Sequence, residues 1–189
     1  MKIEQEVIRT VDYLKQGKVI LYPTDTIWGI GCDATDFNAV ERIFKIKQRK
    51  ENKSMIVILH SQDQIGEYIE KVPPIAFDLM KSIDTPLTII YPGAKNLANN
   101  VIAEDNTVAI RIVKHEFCQK MLKSFGKAVV STSANLSGEQ PALTFSKISQ
   151  QIKEAVDYVV DYNRGLVTVA KPSTIIKIDE SGGFQIIRS

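Results

Sequence analysis

The chain has 189 residues, the length of one domain, and its 44% apolar content and mean hydropathy of −0.07 are those of a globular protein with a real core. A formal net charge of +2 is too near neutral for composition alone to argue for nucleic acid. Cys32 and Cys118 stand far apart with no C-x-x-C, which argues against a disulfide framework or zinc knuckle and for buried thiols in a reducing compartment. The charged N-terminal stretch MKIEQEVIRTVDYLKQG has no apolar signal core. The longest apolar runs, about five residues, fall far short of a membrane span. A soluble, cytoplasmic protein with no membrane partner is expected.

Apolar spacing at Val7, Ile8, Val11 and Leu14 predicts an amphipathic helix over 3–16, stopped by Gly17. A strand over 19–22 runs into the hydroxyl-rich turn Pro23-Thr24-Asp25-Thr26, followed by Gly29 and Gly31. A helix is expected over 38–47, then a basic cluster of Lys45, Lys47, Arg49, Lys50 and Lys53, then a buried strand over 55–59. Helices are expected over 62–69 and from Pro73-Pro74 to 83. A strand over 87–91 closes at Pro92-Gly93, and 95–106 reads as irregular. A strand over 108–113 carries Arg111. A helix over 117–125 ends at Gly126, and a strand over 128–131 leads into Thr132-Ser133-Ala134-Asn135. A helix over 148–155 and strands over 156–160, 174–178 and 184–187 close the chain. Segments 138–144 and 163–173 read as the mobile loops. Alternating strands and helices predict a single α/β domain over 1–189 with a mixed, largely open sheet.

Three constellations carry chemistry. Lys47-Gln48-Arg49 places two cations just past a helix end, which suits a triphosphate clamp with Lys as point charge and Arg as planar fork. It equally suits a solvated helix terminus, where cations complement the macrodipole. Ser131-Thr132-Ser133-Ala134-Asn135 follows a strand, so its hydroxyls sit where open α/β sheets bind ligands, although such residues also favour caps and turns. Arg111, in an apolar strand, needs a partner: a substrate carboxylate, a structural Asp, or solvent on one face. Gly29-Ile30-Gly31-Cys32-Asp33-Ala34 matches G-x-G-x-x-G/A, but Pro-Thr-Asp-Thr precedes it and the next helix starts late, so a dinucleotide fingerprint is rejected. There is no P-loop and no G-x-S-x-G elbow. With only His60 and His115, nucleophilic triads and structural zinc are disfavoured. A site of cations, hydroxyls and amides suits positioning and charge neutralisation.

Taken together, YPTDTIWGIGCDA (22–34), Lys47-Gln48-Arg49, PLTIIYPG (86–93), TVAIR (107–111), STSANLSG (131–138) and KPSTII (171–176) resemble the YrdC/Sua5 family of threonylcarbamoyl-AMP synthases, in its short form, over nearly the whole chain. The resemblance implies a twisted mixed open sheet with flanking helices around a cationic cavity. It implies a nucleotidyltransferase that joins L-threonine, bicarbonate or carbon dioxide, and ATP into threonylcarbamoyl-AMP and pyrophosphate. A separate tRNA threonylcarbamoyl transferase complex would use the product to make t6A at position 37.

By this resemblance Lys47 and Arg49 would be catalytic and hold the phosphates. Thr107, Ser133, Asn135 and Arg188 would contact ATP, and Thr24, Arg111, Ser131 and Ser173 would bind threonine. Mg²⁺ would ride in with ATP, with no metal cage from the protein. The chain departs from the family pattern at Trp28, Lys50, Ser54 and Ile83-Asp84-Thr85-Pro86, and in its shortened Arg188-Ser189 end. The competing expectation is a non-catalytic RNA-binding module using the same basic cavity. That would call for aromatic platforms near the basic loop, and none stands between Lys45 and Lys53.

Overall fold

The computed structural model describes residues 2–48, 55–165 and 172–189. Val7, Val11 and Leu14 fall on one stripe of α1 (Ile3–Lys15), and they bury against Phe117, Met121 and Leu122 of α5 (Glu116–Phe125). Each helix ends where expected: Gly17 and Gly126 take positive φ of 68° and 78°, a conformation that costs glycine little. The remaining helices are α2 (Phe37–Lys47), α3 (Ile65–Tyr68), α4 (Ile75–Ser82) and α6 (Gln150–Ala155). Asp36 caps α2 by accepting from the main-chain N–H groups of Asn38 and Ala39, so this helix starts one residue before the sequence expectation.

Among the described residues, nine strands make one mixed sheet: β1 (Ile20–Tyr22), β2 (Gly29–Asp33), β3 (Ile56–Leu59), β4 (Leu87–Pro92), β5 (Thr107–Ile112), β6 (Val129–Ser133), β7 (Tyr158–Val159), β8 (Thr174–Ile178) and β9 (Phe184–Arg188). Their spatial order is β7-β1-β2-β6-β3-β5-β4-β8-β9. The pairs β1/β7, β3/β5 and β4/β8 are parallel and the others antiparallel. Side chains alternate between the two faces. One face, with Leu21, Ile30, Val57, Val130, Ile110 and Ile89, packs against α2, α3, α4 and α6. The other, with Ile20, Tyr22, Ile58 and Val129, packs against α1 and α5.

The α/β class and mixed sheet agree with the sequence reading, with four differences in detail. Gly29–Asp33 is a strand near the middle of its half of the sheet, which the two glycines had concealed. Its Gly31 is sterically required, because a Cβ there would stand 2.5 Å from the Val130 carbonyl oxygen and 2.8 Å from Tyr22 Cε1. β6 extends through Ser133, so Thr132 and Ser133 lie within the strand rather than after it. The helix expected over 62–69 divides into a 3₁₀ turn over Gln62–Gln64, capped by Ser61, and the single turn α3. The strand expected over 156–160 shortens to Tyr158–Val159; just before it the Asp157 main-chain N–H donates to the Val19 carbonyl at 2.9 Å, while its carboxylate, in place of a main-chain carbonyl, accepts from Val19 N at 2.8 Å and from Arg42 Nη1 at 2.7 Å.

Candidate active site

Alternation along β5 puts Thr107, Ala109 and Arg111 on the same face. Register carries that face across to Thr88 of β4, and through β3 to Ser131 of β6 and Gly31 of β2, with Ser133 opposite Gly29 one step along. It is the face that α1 and α5 cover elsewhere, but here it is polar. Thr24, Thr26, Thr88, Thr107, Arg111, Ser131 and Ser173 are all buried, and they make up most of the buried polar side chains described. Buried polar groups need partners, so their concentration here marks a built site.

Arg111 is at its centre, 5% exposed. Its Nη1 donates to Thr26 Oγ1 at 3.0 Å and lies 3.2 Å from Asp25 Oδ1. A lone buried guanidinium would cost several kcal/mol, and Asp25 offsets much of that. Of the three partners weighed from sequence, a structural Asp is present, while a solvent-facing strand is excluded by the burial. Arg111 Nε remains buried with no hydrogen-bond partner. The turn from β1 is fixed around this pair. Thr24 Oγ1 lies 3.1 Å from Thr26 Oγ1 and donates to the Ile27 carbonyl, and Lys114 N donates to Asp25 Oδ2 at 3.0 Å. A Cβ on Gly29 would stand 3.3 Å from Ser131 Oγ and 3.5 Å from Thr24 Cγ2, so Thr24 and Ser131 converge over a glycine that leaves them room.

Lys47 ends α2 and is 2% exposed, which sets aside the solvated-terminus reading. Its ammonium donates to the Ser133 carbonyl and, at 2.7 Å, to the Asn135 carbonyl, while its own carbonyl accepts from Ser137 N at 2.9 Å. Gln48 follows in the left-handed conformation, φ 51°, and Arg49 lies outside the described residues. Asn135 spends its amide donors on the carbonyls of Leu136 and Glu139, and its Oδ1 is buried without a partner. The loop beyond is anchored by Phe145, which packs 4.8 Å from Trp28 and beneath the cations of Lys153 and Arg164.

On the other side of β5, Ser173 Oγ lies 2.8 Å from Thr88 Oγ1, in register with Arg111. Arg188 donates through Nε and Nη2 to the Ser173 carbonyl at 3.1 and 2.9 Å, so the end of β9 reaches the same region. Thr107 Oγ1 donates to Asp105 Oδ1, and Lys177 Nζ lies 2.7 Å from Asp105 Oδ2. The Lys177 ammonium, then the Thr107 hydroxyl, hold the Asp105 carboxyl below its ordinary value.

A family model described as Sua5/YciO/YrdC, telomere recombination, matches residues 12–189. The chain belongs to the Sua5/YciO/YrdC family. It is 36% identical over 178 residues to a threonylcarbamoyl-AMP synthase of Pseudoalteromonas translucida, covering 93% of this chain and 94% of that one. It is 33% identical over 161 residues to the threonylcarbamoyl-AMP synthase of Idiomarina loihiensis, covering 84% and 86%. Among solved structures, E. coli YciO matches with TM-score 0.84 and 26% identity over all of this chain and 90% of that one. P. abyssi Sua5 complexed with L-threonine matches with TM-score 0.89 and 25% identity over all of this chain. The chain spans 54% of that Sua5's length.

Within this Sua5/YciO/YrdC chain Lys47 is tied to the main chain at Ser133 and Asn135, Thr24 and Ser131 converge over Gly29, and Arg111 is held by Asp25 and Thr26, with Ser173, Thr88 and Arg188 beyond. Sequence reasoning missed Asp25, Thr26 and Thr88 as partners. Asp25 and Thr26 stood in the quoted hydroxyl turn, and Thr88 was recoverable from alternation in a strand paired with that of Arg111. A cavity of about 300 Å³ opens beside the group, lined by Thr24, Asp25, Trp28 and His115 among others. A larger one, about 410 Å³, lies on the other face between β4, β5 and α4, and touches none of the predicted site residues. Burial pushes the Cys32 and Cys118 thiols up, so neither is a ready nucleophile. No helix among the described residues is long and apolar enough to cross a membrane.

Proposed function

We propose that the chain is an L-threonylcarbamoyladenylate synthase, a nucleotidyltransferase acting on ATP, L-threonine and bicarbonate or carbon dioxide. The observation that carries the reading is Arg111. It is a buried guanidinium held at Nη1 by Thr26 and Asp25, with its Nε buried and without a hydrogen-bond partner, an arrangement that suits a receptor for a small carboxylate. The curated relatives' names support this activity rather than an RNA-binding module.

In this reading Arg111 takes the threonine carboxylate, with Thr24, Ser131 and Ser173 serving the substrate's other polar groups. The free α-amine adds to carbon dioxide to give a carbamate. A carbamate oxygen then attacks the α-phosphorus of ATP, the bond to the bridging oxygen breaks, and pyrophosphate leaves. Lys47, with Arg49, neutralises the charge that grows on the leaving group. Asn135 Oδ1 is an open acceptor for a nucleoside N–H or O–H, with Thr107, Ser133 and Arg188 completing the nucleotide contacts. Among the described residues no group of three His, Cys, Asp or Glu could hold a metal. In this reading Mg²⁺ enters with the triphosphate, as is usual for a cation bound largely through substrate phosphates. The product passes to a tRNA threonylcarbamoyl transferase complex in the cytoplasm.

The test is pyrophosphate release by the purified chain with ATP, Mg²⁺ and bicarbonate, with and without L-threonine. Threonine-dependent release supports the reading. Release that ignores threonine, or none from protein that is folded and binds ATP, contradicts it.

A further inference from the structure

We infer that Asp25 is the positioning residue that makes Arg111 a carboxylate receptor, by occupying one end of the guanidinium so that the Nε/Nη2 edge is presented to substrate. The inference rests on the threonine site proposed above and adds a determinant of its specificity.

A guanidinium offers donors along two edges, and a carboxylate is best held by two parallel N–H groups of one edge. In Arg111 the Nη1 end is committed to Thr26 Oγ1 at 3.0 Å and Asp25 Oδ1 at 3.2 Å. The second contact is an ion pair without hydrogen-bond alignment, since Asp25 Oδ1 has no hydrogen-bond partner. It therefore steers the guanidinium by charge. Nε is buried and without a partner, and none of the hydrogen bonds described involves Nη2. The two donors left over are those that form the side-on fork.

Asp25 is itself fixed. Its other oxygen accepts from Lys114 N at 3.0 Å, three residues beyond Arg111. The turn that carries it is pinned further by Cys118, whose Sγ donates to the Pro23 carbonyl at 3.1 Å. Asp25 thus grips the exit of β5 at two points, one main-chain and one side-chain. With 13% of its side chain exposed against 5% for Arg111, the pair stays little screened by water. Neutralising Arg111 reduces its general pull on anions. What remains is directional and favours a ligand with a carboxylate at the fork over any passing anion.

Asp25→Asn tests this. Its carbonyl can still accept from Lys114 N, but the charge on Nη1 is gone and an amide donor faces a guanidinium donor. The expected result is a threonine KM raised at least about tenfold, the scale of a lost charge-assisted contact, with the ATP KM within about twofold. The Arg111 Nε–H resonance supplies a readout that a merely structural role would not move. In the wild-type chain L-threonine should shift it and L-threoninol, which lacks the carboxylate, should not. In Asp25→Asn the threonine needed for the shift should rise in step with KM. An unchanged threonine KM in a folded Asp25→Asn overturns the inference alone; a wild-type Nε–H signal indifferent to threonine in an active enzyme overturns it together with the place of Arg111 in the threonine site, while the synthase activity stands. A wild-type chain that neither binds threonine nor releases pyrophosphate in response to it overturns the proposed function as well. If Asp25→Asn does not fold, Thr26→Val removes the other Nη1 acceptor. A smaller rise in threonine KM alone is expected there, and no rise would refute the idea.

Discussion

The Lys47 ammonium donates to the main-chain carbonyl of Asn135 at 2.7 Å, which makes the end of α2 and the loop after β6 one structural unit. The return bond from Ser137 N to the Lys47 carbonyl closes the unit from the other direction. Lys47 therefore shapes the loop that carries Asn135 as well as offering charge to a ligand.

Replacing Lys47 with Met tests both roles. The carbonyls of Ser133 and Asn135 would lose a charged donor in a buried setting, a loss of about 1–3 kcal/mol. Urea denaturation should show a lowered midpoint, and threonine-dependent pyrophosphate release should disappear. Unchanged stability would mean that the carbonyls find other donors and that the buried ammonium is not structural.

Gly31→Ala should be costly for a purely steric reason. The new methyl would meet the Val130 carbonyl at 2.5 Å and the ring of the fully buried Tyr22 at 2.8 Å. Neither the strand backbone nor a packed ring can give way cheaply, so a destabilisation of about 1–3 kcal/mol is expected by thermal or urea unfolding. The same substitution at Gly66, where a Cβ would meet nothing within 4 Å, is the control and should be close to neutral or stabilising.

His115 predicts a pH dependence. Burial lowers its pKa from the ordinary 6.5, against a smaller opposing pull from Asp25, and its Nδ1 is buried without a partner. The folded state therefore takes up its proton at lower pH than the unfolded state. Stability that is full above 6.5 is lost as the pH falls below it, and the loss levels off once the folded-state pKa is passed. In unfolding experiments between about pH 5 and pH 7, His115→Asn should flatten this part of the profile. A profile identical to wild type would show that other groups control it.

Much of this was legible in the sequence because helix periodicity and terminal glycines speak locally. Val7, Val11 and Leu14 announce α1, and Gly126 announces the end of α5. β2 was not legible, because Gly29 and Gly31 are poor strand formers, and their need comes from Tyr22 on the neighbouring strand and from Val130 and Ser131, distant in the chain. The residue types of the site were readable, but their pairing was not. Nothing local to Asp25 says that Arg111, 86 residues later, will lie 3.2 Å away, since that distance follows from sheet order. Similarly, Lys47 reads as a helix-end cation until the loop after β6 is seen to cover it.

The central claim is that a carbamate of threonine, rather than threonine itself, attacks the α-phosphorus. It is tested most directly by incubating the chain with ATP, Mg²⁺, L-threonine and ¹³C-labelled bicarbonate and examining the adenylate by mass spectrometry. The account predicts an adduct of AMP and threonine that carries one labelled carbon, and none when threonine is withheld. An unlabelled threonyl-AMP, or AMP formed with no adduct at all, would contradict it.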